Sequence, residues 1–399
     1  MAENKEKKVL NVPNLRFPEF EGEWEKCKVG DFGKIITGNT PPTKDIENYE
    51  NGQYLWVSPA DLGLLKSITE TKTKLSKKGF DKTRALPAGS VLVTCIGSTI
   101  GKMGMTTRET STNQQINAIV VNKSNNNEFV YYAVQSAFPK YLSSIAVQAV
   151  PIISKSSFEL LPNYRPSIQE QEKIGRLFAL LDERIATQSK VIEDLKKLKC
   201  AIIEKHYRQA KLHKYKICDL GVPFSVGSLS KEDLSEKGHE CILYGELFTT
   251  YDCVINEIKS HTNKIANMTL SQKRDLLFPS STTVDAVSLI SPSVIDIPNV
   301  VLGGDMFGIH IDKKFNAYYL SYYINIITRK ILAIYAKGST IIHLHYKDIA
   351  KAQLLLPDLC EQDRIAKCMM AEDDKIKVEE QLMTKLEEQK QYLLRQMFI

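Results

Sequence analysis

The sequence predicts an α+β protein. Two globular domains are separated by two long antiparallel coiled-coil helices, and the whole forms a pseudo-twofold internal repeat. Three observations predict this. A segment of about forty residues occurs twice at a fixed offset. Each copy carries an apolar stripe of helical period. The stretches between the copies are rich in short apolar runs bounded by Gly and Pro.

The repeat is the primary signal. Pro166-Ser-Ile-Gln-Glu-Gln-Glu-Lys-Ile174 aligns with Pro357-Asp-Leu-Cys-Glu-Gln-Asp-Arg-Ile365, an offset of 191 residues. The offset holds to the end of the chain, matching Asp182 with Asp373, Ile185 with Ile376, Leu195 with Leu386, and Tyr207 with Phe398. Upstream it pairs Tyr131-Tyr132 with Tyr322-Tyr323. A period this long denotes duplicated domains rather than a solenoid of short units.

The order that follows is a first domain over 1–165, a long helix over 166–212, a second domain over 213–356 and a second long helix over 357–399. Each helical copy opens on a Pro, as a first helical turn allows. Ile174, Phe178, Leu181, Ile185, Ile192, Leu195 and Ile202 form the stripe of the first helix. Ile365, Met369, Ile376, Met383, Leu386 and Leu393 form that of the second. Gln188 and Lys199 interrupt one stripe, and Glu372, Glu379 and Lys390 the other. A stripe left in water is unstable, so each copy needs an apolar partner. The net charges oppose, +3 over 166–212 and −3 over 357–399, which points each rod at the other. About forty residues at ~1.5 Å each give a rod of roughly 60 Å.

In the first domain, Pro87–Gly97 reads as turn, strand and Gly turn, Ala118–Asn122 as a strand, and Phe129–Leu142 as a helix. In the second, Asp275–Pro279 and Gly308–Asp312 read as strands and Tyr318–Tyr335 as a helix.

Composition bounds the function. The 399 residues suit two or three domains, and 43% apolar with 25% charged residues is ordinary for a globular protein. No run of eighteen apolar residues occurs, and the charged start Met1–Lys8 lacks the apolar core of a secretory signal. The eight Cys include no C-x-x-C pair and read as free thiols of a reducing cytosol, so the expected location is cytoplasmic. The net charge of +6 is concentrated early, with +5 over residues 1–165.

No catalytic motif survives inspection. Asn39-Thr-Pro-Pro-Thr resembles the N-P-P-aromatic motif of adenine methyltransferases, but it has an inserted Thr, no aromatic and no upstream Gly-rich turn. Gly97-Ser-Thr-Ile-Gly-Lys102 is one residue short of a phosphate loop and reads as a β-hairpin tip. His343 and His345 share a strand face, but no third ligand stands at metal spacing. Pro357-Asp358 resembles a nuclease start without the Lys that should follow Glu361-Gln362. No catalytic residue, metal site or directly bound cofactor is expected.

The chain resembles the specificity subunits of type I restriction–modification systems. The resemblance rests on Val12–Trp24, Gly30–Asn39, Tyr54–Asp61, Cys95–Lys102 and above all the doubled Pro-x-x-x-Glu-Gln-x-x-Ile entry into a long helix. It covers nearly the whole chain. The family often has a Gly-rich turn ahead of each rod; the second half keeps Gly338-Ser-Thr340, while the first has Val147-Gln-Ala149.

The resemblance implies a non-catalytic reader of double-stranded DNA with two target-recognition domains, each addressing half of a bipartite site. It implies two modification subunits beside the rods, carrying S-adenosylmethionine. It also implies restriction subunits, held through the modification subunits, that use ATP and Mg, and no membrane. Phosphate contacts come from basic loops. The candidates are Lys72, Lys74, Lys77, Lys78, Lys82, Arg84 and Lys102 in the first domain. Lys259, Lys264, Lys273 and Arg274 are those of the second. The competing reading is a rod-shaped scaffold that binds no nucleic acid.

Overall fold

The computed structural model of the chain describes residues 10–63, 65–144 and 151–399. The segment Val147–Ala149 lies outside them. The chain divides into two compact units. Unit 1 is Met1–Ser189 with Gln381–Ile399, and unit 2 is Lys190–Glu380.

In unit 1 the core is a five-stranded sheet in the order Gly33–Thr37, Ile116–Val121, Val91–Thr94, Met103–Thr106, Ser67–Ile68. The central strand Val91–Thr94 is buried on every residue. It is covered on both faces, so its sequence is a continuous apolar run rather than an alternation. Tyr54–Val57, flanked by Thr73–Leu75 and Ser111–Thr112, makes a second, three-stranded sheet. The helix Asn127–Ser144 packs its aromatic residues into the core, and Glu25–Lys28 pairs with Pro162–Arg165 just before the first long helix.

Unit 2 repeats the plan. Its five-stranded sheet runs Gly221–Ser225, Met306–Ile311, Asp275–Pro279, Ser293–Ile295, Val254–Ile255. Its second sheet has Ser260–Thr262, His239–Leu243 and Val301–Gly303 at its centre. The helical stretch expected over Tyr318–Tyr335 is helix Ala317–Tyr323, a π turn Ile324–Thr328 and helix Arg329–Ala333. Such an insertion shifts side chains without ending the helix.

The long helices are Ile168–Gln209 and Leu359–Met397. Pro166 and Pro357 stand two residues before their first residues rather than in their first turns. The caps are Ser167, whose hydroxyl accepts from the Glu170 N–H at 3.4 Å, and Asp358, whose carboxylate accepts from the Glu361 N–H at 2.9 Å. The repeated Gln has a structural explanation. Gln171 donates to the Pro166 carbonyl at 3.1 Å and accepts from the Asn126 N–H at 3.1 Å. Gln362 does the same with Pro357, at 2.8 Å, and Asn316, at 3.0 Å. Each buried amide ties the rod entry to the start of the domain helix.

These matches correct the upstream register. Asn126 is the counterpart of Asn316, an offset of 190, so Tyr132 matches Tyr322 and not Tyr323. One residue is gained between the domain helix and the rod.

Within each unit the two rod segments run antiparallel. In unit 1, Phe178 of the first helix meets Phe398, while Asp182, one turn further along it, meets Lys390. In unit 2, Lys196 meets Glu380, Lys199 meets Asp373, and His206 meets Arg364. Ile174, Phe178, Leu195, Ile365, Met369, Ile376 and Leu386 are buried, and Leu181, Ile185, Ile192, Ile202, Met383 and Leu393 are half-buried.

Candidate nucleic-acid interface

The lysine candidates of the two domains come to equivalent places. Trp56 pairs with Thr73 on one side and Ser111 on the other; Cys241 pairs in the same senses with Ser260 and Val301. Thr73 therefore matches Ser260. Lys72 and Lys259 immediately precede these strands, and Lys77 and Lys264 follow them at the same interval. Two clusters selected for charge alone thus occupy one site of the repeated domain.

The clusters are not bare positive charge. Lys74 pairs with Glu70 at 2.6 Å, Lys77 with Asp81 at 2.6 Å, Lys78 with Glu47, and Lys82 with Asp45 at 3.0 Å. Their partners hold the Lys77 and Lys78 ammoniums above the usual lysine range, and Lys74 and Lys82 hold Glu70 and Asp45 below the usual carboxylate range. Lys264 pairs with Asp233 at 3.1 Å. Lys72 and Lys259 are exposed, with no ion pair among the described residues. Exposed pairs of this kind are weak and screened by salt, so a phosphate can displace the carboxylate.

Other candidates fall elsewhere. Arg84 donates to the Thr37 carbonyl at 2.6 Å. Lys102 lies on the tip between Val91–Thr94 and Met103–Thr106, as expected of a hairpin, with its stem against Gly63. Lys273 is exposed. Arg274, at φ 73°, turns inward and donates to the Phe315 carbonyl at 2.6 Å.

The stripe interruptions Lys199 and Lys390 prove to be working positions. In unit 1, Lys390 donates to Asp182 at 2.5 Å, Tyr132 donates to the same carboxylate, and Lys66 reaches it at 3.1 Å while also pairing with Glu128 at 2.8 Å. Burial alone would raise the Asp182 carboxyl, but these partners hold it below the usual range. In unit 2, Lys199 and Tyr322 both donate to Asp373. The signal was present in the sequence, because Lys199 and Lys390, like Asp182 and Asp373, stand 191 residues apart.

Among the described residues no group of three or more His, Cys, Asp or Glu is placed to hold a metal ion. Among the described residues no helix is long and apolar enough to cross a membrane.

Comparison with known proteins decides the family. The model of the type I restriction modification DNA specificity domain matches residues 21–197 and again 258–388. The chain belongs to that family. Relatives include the HindI specificity subunit of Haemophilus influenzae, 34% identical over 31% of this chain and 27% of that protein. The MjaIX specificity subunit of Methanocaldococcus jannaschii is 27% identical over 44% and 42%. The matches thus span less than half the length of these relatives. The S subunit from M. genitalium shares the fold, with a TM-score of 0.63 at 15% identity over 97% of this chain and 99% of that one. A chain in a structure of a type I restriction–modification system gives 0.57 at 14% identity, over 93% and 96%.

Proposed function

We propose that the chain is the non-catalytic DNA-reading subunit of a type I restriction–modification complex, each unit reading one half of a bipartite duplex target. The observation that carries this reading is the repeated two-sheet domain, with a lysine-bearing edge at the same place in both copies of a specificity-family chain. Phosphate contacts at Lys72–Arg84 and Lys259–Lys264 supply affinity, and base contacts from other loops of the same domains supply sequence. Two modification subunits bind S-adenosylmethionine and methylate adenine. Restriction subunits, joined through them, use ATP and Mg. None of these cofactors binds this chain, and the complex works in the cytoplasm.

Methylome sequencing of cells with and without the gene tests the reading. Loss of one bipartite adenine-methylation motif is expected; unchanged methylation overturns it. Exchanging residues 1–165 for those of a homologue should alter one half-site only. The paired helices act as a ruler: four residues inserted at matched points near Ser189 and Glu380 add roughly 5 Å. The unread spacer should then lengthen by one or two base pairs at about 3.4 Å each. The absence of a salt-sensitive band shift would favour the scaffold reading, because phosphate contacts release counterions and a scaffold has none to release.

A further inference from the structure

The basic candidates of unit 2 span Lys259–Arg274. The sheet carries another exposed element at the opposite end of its central strand. Arg274 precedes Asp275–Pro279, and Ser280 follows it, so the two ends stand roughly 15 Å apart at ~3.3 Å per residue. Ser280 accepts the Leu344 N–H at 2.8 Å, and Ser281 pairs with His343. Leu344 is buried and anchors a tight hairpin.

The hairpin is preformed. Lys337 and His343 exchange both backbone hydrogen bonds, at 2.9 and 2.7 Å. Gly338 takes φ 121°, and a Cβ there would collide with the Ile341 carbonyl, so only Gly closes this turn. Residues Gly338 to Ile341 are all exposed, with Ile341 50% open to solvent. The Ser339 and Thr340 hydroxyls have no hydrogen-bond partner among the described residues. Beside the hairpin a concavity of about 560 Å³ is lined by Asp305, Lys337, His343, His345, Lys347 and Asp348. The two imidazoles lie parallel, 6.2 Å apart, rather than converging as metal ligands do.

The repeat supplies an independent argument. In unit 1 the bridge between Ile96 and Ile152 is the counterpart of the pair Ser281 and His343. It stands at the base of the tip that carries Lys102. Both domains therefore present an exposed, glycine-closed basic element at the same end of the same sheet.

We propose that the Lys337–His343 hairpin, with Lys347 on the short helix Tyr346–Ile349 beside it, is a base-reading element for the second half-site. Ser339 and Thr340 meet base edges, Ile341 meets a thymine methyl, and Lys337 and Lys347 hold the flanking phosphates. The major groove of duplex DNA is wide enough for a two-stranded ribbon, so it admits this narrower turn closed by one bridge pair, and hydroxyls can donate to or accept from base edges. Rigid closure at Gly338 means that little ordering entropy is lost on binding. The lysines differ: Lys347 has no ion pair among the described residues, whereas Lys337 must exchange Asp348, 2.6 Å away, for a phosphate. The proposal rests on the chain being a DNA-specificity subunit.

The test reads adenine methylation in cells whose own copy carries Ser339→Ala with Thr340→Val, or Ile341→Ala, so that the native partners are present. The expected result is relaxed sequence at one or two positions of the second half-site, about a ten-fold loss of preference there. The first half-site stays unchanged and shows that the chain is folded. A second measurement, band shifts of the full chain with Lys347→Gln, should show weaker binding to all duplexes and a salt slope smaller by about one. Unaltered second half-site preference in a strain that still methylates overturns the hairpin's role. Methylation that persists without the gene overturns the DNA-specificity reading instead.

Discussion

Asp182 in unit 1 and Asp373 in unit 2 hold the same place in the repeat, yet their surroundings differ. Both accept from a domain tyrosine and from a lysine of the facing long helix. Unit 1 adds Lys66, which immediately precedes the edge strand Ser67–Ile68. In unit 2 the residue before the matching strand Val254–Ile255 is Cys253. Glu128, the second carboxylate on Lys66, is matched by Tyr318. Duplication has kept the Lys–Asp–Tyr contact that joins each domain helix to the rods. It has varied the loop that closes over it, so unit 1 carries two ammoniums on its carboxylate and unit 2 carries one.

The largest effect should come from removing the carboxylates. Asp182→Asn leaves Lys390 and Lys66 poorly compensated and should destabilise unit 1 by roughly 3–5 kcal/mol. Asp373→Asn strands one lysine and should cost unit 2 about 1–3 kcal/mol. Hydrogen exchange, read separately over the two units, measures both. Equal losses would break the comparison.

Exchanging the loop residues sharpens it. Lys66→Cys removes the second ammonium, as in unit 2, and frees Glu128 of its partner, but Lys390 still serves Asp182, so the expected cost is about 1–2 kcal/mol. Cys253→Lys places a second ammonium beside Lys199 with no counterpart of Glu128, at about 2–3 kcal/mol. Denaturant melts of the two variants should rank them in that order.

The pH dependences should oppose. The Asp182 carboxyl is depressed in the fold, so its stabilisation is present above the usual carboxylate range and is lost as pH falls through the folded value. Asp275 behaves differently: burial raises it, against the pull of the Gln272 N–H and of His310 at 2.6 Å. It costs stability at neutral pH and relieves that cost on protonation. Acidification should therefore shrink the gap between the wild type and Asp182→Asn, and raise wild-type unit 2 relative to Asp275→Asn.

The smallest structural effect is expected at the lysine edges. Lys77→Glu and Lys264→Glu should leave melting unchanged while lowering the salt slope of DNA binding by up to one each. An altered melt with an unchanged slope would assign these lysines to the fold.

Much of this was legible before the structure. The rods, their antiparallel pairing and the repeated domain follow from an offset and a stripe. The lysine clusters were legible as charge, but their equivalence was not. Lys72 and Lys259 are 187 residues apart rather than 191, because loops between strands differ in length. The shift at Tyr132 and Tyr322 has the same origin. The Gly338-Ser-Thr340 turn was legible as a turn, but its exposure and its anchoring at Ser280 were not, because hydroxyls and an isoleucine carry no charge signal.

The sequence by itself determined the helical stripes, the duplicated Pro-x-x-x-Glu-Gln entry and the family, because each is a periodic or local property of the chain. Only the tertiary structure decided what fills the gaps in the stripes and which end of each sheet presents exposed polar groups. Lys390 finds Asp182 across 208 positions of chain, and Leu344 finds Ser280 across 64. Such contacts depend on which strands and helices lie side by side. That choice is made by burial of the whole apolar surface at once, and no local run of residues records it.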